Sequence, residues 1–111
     1  MAFEVSSEQT NGIAKISLAG ELDASSAGDF RDAIEQVSTE QPRRLVLMMD
    51  QLTFMASAGL RVLVFAKQKM GREVDIFVVG AHDAVLETIE MTGFHHSVIL
   101  LDSYDAEQIE S

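Results

Sequence analysis

Three short stretches, "RLVLMMD" ending at Asp50, "VDIFVVG" over 74–80 and "SVILLD" over 97–102, are apolar almost without interruption. A strand with one face in water alternates apolar and polar residues. A run such as Leu45 to Met49, apolar at every position, suits a strand covered on both faces. The segments between these runs have another rhythm: "SAGLRVLVFAKQKMG" and "DAVLETIEMTG" each begin on a helix-capping residue type and end on a glycine suited to a helix C-terminus. Inside the first of them the β-branched and aromatic residues of "VLVFA" compete with the helical reading. Buried strands alternating with helices leave few solutions, and right-handed crossovers between strands of one sheet are the favoured one.

Upstream, "FEVSSEQT" and "IAKISLA" flank Asn11-Gly12, a pair able to take the positive φ values of a type I′ turn, so the fold should open with an antiparallel hairpin. After "GELD" at 20–23, Ala27, Phe30, Ile34 and Val37 recur near the helical period. Ser26 and Asp29 are placed like a capping pair, and Asp32 and Glu35 fall towards water. "SYDAEQIES" forms a last short helix with Asp102 or Ser103 as its cap. The expected order is β-β-α-β-α-β-α-β-α: an α/β fold with a mixed sheet, an N-terminal hairpin and crossover helices, in one domain spanning 1–111.

A chain of 111 residues buries roughly two thirds of its unfolded surface, enough for a core without staples. It has no cysteine, which excludes disulfides, thiolate metal sites and a cysteine nucleophile. Its 18 acidic and 8 basic residues give a net charge of −10, which opposes a phosphate backbone, so direct nucleic-acid binding is not expected. Arg43-Arg44 and "KQKMGR" are the basic clusters, and they decorate element ends. The N-terminus has no secretory pattern and no run approaches the roughly 18 apolar residues of a membrane span. A cytoplasmic protein with no membrane partner, cofactor or metal is the expectation. His95 and His96, if they enter a strand, point to opposite faces and do not share a metal.

Ser57, in "FMASAGLRVL", stands among alanines and a glycine where a loop becomes a helix, and three roles compete for it. As an N-cap its hydroxyl would accept from a free first-turn N–H. As the nucleophile of a strand-to-helix elbow it would need a small residue two positions earlier, where Met55 stands, and a base, and no sequence argument brings His82, His95 or His96, far along the chain, to it. As a phosphate acceptor it would sit at the positive end of a helix dipole with room for a kinase to approach.

The chain here resembles the STAS-domain anti-sigma-factor antagonist family. "GELD" before the first helix, an apolar strand ending in Asp50, "LTFMASAGLRVL" and "MTGF" at 91–94 match the family's pattern in order and over nearly the whole chain. Ala56 replaces a common aspartate, Ala58 a common second serine, and Arg61 stands where glycine is frequent. The resemblance implies a STAS fold without catalytic residues, and Ser57 as the residue phosphorylated by an ATP-dependent serine kinase that is itself the anti-sigma factor. It also implies a serine phosphatase that resets the switch. Asp23, Met55, Ala56, Ser57, Ala58, Gly59 and Arg61 are then the partner-binding set.

Each of these residues has a plainer alternative. Asp23 is a dipole-favoured loop aspartate ahead of a helix or a partner contact. Met55 is a core filler or an exposed contact. Arg61, one turn after Ser57, is a solvated helix residue or meets phosphate or a partner carboxylate. Asp50, at a strand end, sits where a response-regulator receiver has its phosphoacceptor, but the opening hairpin and the lack of lysine after "SVILLD" argue against that fold. The other functional class is a non-catalytic STAS domain that docks by shape in a signalling scaffold or transporter-associated complex.

Overall fold

The computed structural model describes residues 2–111. In chain order the elements are β1 Glu4–Thr10, β2 Ile13–Leu22, α1 Ala27–Ser38, β3 Arg44–Met55, α2 Ser57–Met70, β4 Asp75–Val79, α3 Asp83–Met91, a 3-10 turn Phe94–Ser97, β5 Ile99–Leu101 and α4 Ala106–Glu110. This is the expected order with the 3-10 turn added. Asn11 (φ 56°) and Gly12 (φ 79°) make the hairpin turn, closed by the Thr10–Ile13 pair.

The five strands lie in the order β1-β2-β3-β4-β5, antiparallel between β1 and β2 and parallel elsewhere. Each crossover therefore steps one strand in the same direction, and right-handed connections that all step one way place their helices on one face. Phe30 and Ile34 of α1, Leu60 and Leu63 of α2 and Val85 and Ile89 of α3 accordingly share one core with Ile16, Leu45, Leu47 and Val78 of the sheet. Fully burying side chains such as Phe30 or Leu47 stabilises by roughly 1.5–3 kcal/mol each. The alternate residues, Val46, Phe77 and Val79, face the other way and meet Ile13 and Ile109 in a second, smaller core. The unbroken apolar run at 45–49 thus reports covering on both faces, although the second cover is only the five-residue α4.

Several local expectations are corrected by longer-range contacts. β3 does not stop at Asp50. Register shifts in its pairing with β2, between Ser17 and Ala19 and between Gly20 and Glu21, carry the ladder on until Leu22 lies opposite Met55. Ser26 holds the N-cap position of α1, but its hydroxyl makes no cap bond. Instead it donates to the Glu21 carbonyl at 3.0 Å and accepts from the Asp23 N–H at 2.9 Å. The cap of α4 is Asp105 rather than Asp102 or Ser103, because its Oδ1 accepts from the N–H groups of Glu107 (3.1 Å) and Gln108 (3.4 Å). His95 and His96 lie in the 3-10 turn, not in a strand, with ring centroids 3.9 Å apart. Gly93 in the left-handed region ends α3, and one further tight turn delays β5 to Ile99. Among the described residues no helix is long and apolar enough to cross a membrane.

Tyr104, the single tyrosine, donates to Glu110 Oε2 at 2.6 Å. That bond, then burial and the charges of Glu110 and Glu8, push its pKa up to about 12. The folded value lies above the ordinary one near 10, so the stabilisation is complete below about pH 10 and is lost as pH rises through about 12. A phenolate absorbance titration should therefore give a higher midpoint in native protein than in urea. Glu110→Gln should bring the native midpoint down towards the denatured one.

Candidate functional site

The ends of β2 and β3 leave the sheet together. The Ala56 N–H donates to the Leu22 carbonyl at 2.8 Å; one residue later the first chain turns at Asp23 and the second enters α2 at Ser57. The "GELD" turn and the start of α2 are thus neighbours on one rim, as the strand-to-helix connections of a parallel sheet require. Thr88 of α3 donates to the Met55 carbonyl at 3.1 Å and fixes the end of β3 from the other side.

Asp23 organises its own loop. Its Oδ1 accepts from the Ser25 hydroxyl (2.7 Å) and N–H (3.0 Å) and from the Ser26 N–H (3.2 Å), and lies 3.2 Å from the Ser26 hydroxyl oxygen. These bonds, that of the Ser25 side chain foremost, hold its carboxyl below the usual carboxylate range. The Asp23 carbonyl accepts from the Ser26 and Ala27 N–H groups as well, so the residue shapes the turn from which α1 starts.

Ser57 is not the N-cap of α2. Ala56 holds that position with extended φ and ψ (−83°, 170°), and its carbonyl accepts from the Gly59 and Leu60 N–H groups. The cause is the extended β3: Ala56 is tied to the β2 end by its N–H, so the helix begins one residue after it. Ser57 is therefore the first helical residue. It is exposed, and among the described residues no side-chain hydrogen bond engages its hydroxyl. The cap supplies no side-chain bond, and the first turn contains no acidic residue.

The histidines lie elsewhere: His82 Nε2 is 2.7 Å from the Asp50 carbonyl oxygen, and the His95 and His96 rings pack together in the 3-10 turn, tilted by 38°. Among the described residues no base is hydrogen-bonded to Ser57, as a nucleophile would require.

The small neighbours divide into two groups. Ala56 and Ala58 are half-buried and leave the serine accessible. Gly59 is buried, and a Cβ there would lie 2.7 Å from both Cγ and Cδ2 of Leu22 and 3.1 Å from Met55 Cγ. Its smallness lets α2 approach the β2 end. Of the two readings of Met55, core filler or exposed contact, the structure shows the first: it is 1% exposed, because it faces the helices while its neighbour faces out. That neighbour, Phe54, is 46% exposed, a surface residue not singled out from the sequence; strand alternation says that it and Met55 face opposite ways but not which of them faces out. Arg61 is exposed one turn beyond Ser57. The rim thus brings together Asp23, Phe54, Ala56, Ser57, Ala58 and Arg61, with Met55 and Gly59 beneath it.

A sheet of this order, with a serine opening the helix after its long central strand, defines a class, and the chain belongs to the STAS domain family, whose model matches residues 4–107. The anti-sigma-F factor antagonist RsfB of Mycobacterium tuberculosis is 31% identical over 83 residues, 75% of this chain and 68% of that one. The crystal structure of an anti-sigma factor antagonist from Mycobacterium paratuberculosis superposes with a TM-score of 0.90 at 26% identity, covering 99% of this chain and 96% of that chain. The Bacillus cell fate determinant SpoIIAA in its phosphorylated form shares the fold at 18% identity, with a TM-score of 0.69 over 98% of this chain and 97% of that one.

Proposed function

We propose that this domain is an anti-sigma-factor antagonist, a binding module that works by partner switching. With Ser57 unmodified it sequesters an anti-sigma factor that is also an ATP-dependent serine kinase. Once Ser57 carries a phosphate the complex comes apart, and a serine phosphatase restores the binding form. The observation that carries this reading is the Ser57 hydroxyl, exposed at the first position of α2 and flanked by alanines beside the Asp23 loop. The mycobacterial relatives are antagonists by name, and SpoIIAA has been solved phosphorylated on the same fold.

The partner surface in this reading is the rim: Asp23, Phe54, Ala56, Ser57, Ala58 and Arg61. Met55 and Gly59 serve from below by setting how closely α2 approaches β2. The kinase supplies the ATP and the base that takes the serine proton. The domain supplies a helix start that tolerates the charge.

Phosphopeptide mapping after incubation with the cognate kinase and ATP tests the assignment. Phosphate is expected on Ser57. Phosphate on Ser25, Ser26 or Thr53 with Ser57 bare overturns it and leaves the shape-docking STAS module as the reading. Phe54 should act as an apolar anchor at this surface. Phe54→Ala is expected to weaken the kinase complex by about 10- to 100-fold in calorimetric titration. Because much of the ring is already in water, the thermal stability should change by no more than about 0.5–1 kcal/mol.

A further inference from the structure

The helix-bearing face of the sheet is closed by α1, α2 and α3, but the opposite face depends on α4 alone. Its one fully buried side chain, Ile109 (0% exposed), meets Ile13, Val46, Phe77 and Val79. Tyr104, just ahead of the helix, packs against the same cluster, and the hydrogen bonds that hold α4 lie near the surface. Arg43 donates through Nη1 to the Ser111 carbonyl at 2.9 Å and through Nη2 to the Glu110 carbonyl at 3.2 Å. Arg44 Nη2 donates to the same Ser111 oxygen at 3.3 Å. Tyr104, just ahead of α4, bonds to Glu110 near its end and lies under the Lys15 ammonium, 4.6 Å from the ring centroid. Two guanidiniums at a helix C-terminus meet carbonyls that have no partner within the helix.

Arg43 also ties this latch to the hairpin. Its N–H donates to the Gly12 carbonyl at 2.7 Å and its Nε to the Asn11 carbonyl at 3.3 Å. Arg44 begins β3, whereas Ser57 follows the other end of that strand, so the latch and the rim occupy opposite ends of the sheet.

We infer that α4 is a latched strap: it opens as a unit, with Arg43 and Arg44 as the catch, and uncovers the apolar surface of Ile13, Val46, Phe77 and Val79 while the rest of the fold stays closed. A five-residue helix with one buried anchor cannot hold itself closed by burial alone against the conformational entropy lost in ordering all its residues. Segments with few buried contacts open below the global unfolding free energy. The body keeps its main core when α4 leaves, because Ile109 belongs to the second cluster only.

Native-state hydrogen exchange on the intact chain decides this. The Ile109 amide, bonded to the Asp105 carbonyl at 3.0 Å, is the probe for α4, and Leu47 and Val78 amides in the central strands report global unfolding. In the unmodified protein Ile109 should exchange at least about 100-fold faster than Leu47 or Val78 under conditions where exchange follows the opening equilibrium. Arg43→Ala should speed Ile109 exchange by a further 10-fold or so and leave Leu47 and Val78 within about twofold. Arg61→Ala, at the opposite end of the sheet, should change neither class. Ile109 exchanging at the rate of Leu47 and Val78 would mean that α4 opens only with the whole molecule and would overturn the inference. So would an Arg43→Ala effect equal at all three amides.

Discussion

Phosphate on Ser57 should weaken binding of the anti-sigma-factor kinase by roughly 30- to 1,000-fold, about 2–4 kcal/mol, while leaving the domain folded and its thermal midpoint unchanged or slightly higher. The two halves of this result have different causes. In the free domain the group adds a charge of about −1.5 to −2 at the first residue of α2. No acidic residue stands in that first turn, and a surface anion near the positive end of a helix is favourable by about 0.3–1 kcal/mol. Arg61, one turn on and exposed, lies on the same side of the helix. In the complex the same phosphate must be stripped of water, which costs several kcal/mol unless a paired cation offsets it. Binding therefore suffers and folding does not.

Ser57→Asp should reproduce part of the loss. Ser57→Ala should abolish phosphorylation and bind within about tenfold of the unmodified protein. Because the hydroxyl makes no cap bond, that alanine should change stability by no more than about 0.5 kcal/mol, whereas loss of a capping serine would cost about 0.5–2 kcal/mol. Calorimetric titration with phosphoserine installed at 57, beside thermal melts of all three forms, makes the comparison. Phosphoserine protein that binds within about threefold of the unmodified form would rule out a charge switch at this site.

Gly59→Ala should destabilise the domain by about 1–3 kcal/mol, and here the sign itself discriminates. Helix propensity taken alone favours alanine by about 1 kcal/mol inside a helix. Packing opposes it: the new methyl would lie 2.7 Å from Cγ and Cδ2 of Leu22, a side chain that is itself fully buried, and 3.1 Å from Met55 Cγ. Two branch atoms of a core leucine cannot give way as the end of a flexible chain could, so either Leu22 leaves its rotamer or α2 moves off the β2 end. The second outcome displaces Ser57 from the Asp23 loop, so partner affinity should fall along with stability.

Gly28→Ala is the matched control. It lies in the first turn of α1 with nothing within 4 Å of the added methyl, and should stabilise by about 0.4–1 kcal/mol. At roughly 4–8 °C per kcal/mol for a domain about this size, the two glycine variants should melt on opposite sides of the parent. A Gly59→Ala midpoint at or above that of the parent would show that α2 does not need this close approach.

The elements with strong local patterns were legible in the chain itself. Asn11-Gly12 specified its turn because few other pairs take positive φ twice in succession, and the run at 45–49 announced a strand covered on both sides. Phe30, Ile34 and Val37 marked the buried face of α1 by spacing alone. Ser57 at the strand-to-helix junction was likewise visible, since residue type and neighbours carry that signal. What the chain could not express is whatever depends on a partner distant in sequence. Whether Ser57 caps α2 or begins it was decided by one bond from the Ala56 N–H to the Leu22 carbonyl, itself a product of the shifted β2–β3 register. That Met55 lies inside and Phe54 outside follows from the same register, because strand residues alternate sides and a shift changes which side faces the helices. The reason for the glycine at 59 lies in Leu22, 37 positions earlier in the chain. Periodicity records how a segment meets an environment, but only the assembled sheet determines which segment supplies that environment, because hydrogen-bond ladders and van der Waals contacts form between residues the sequence keeps apart.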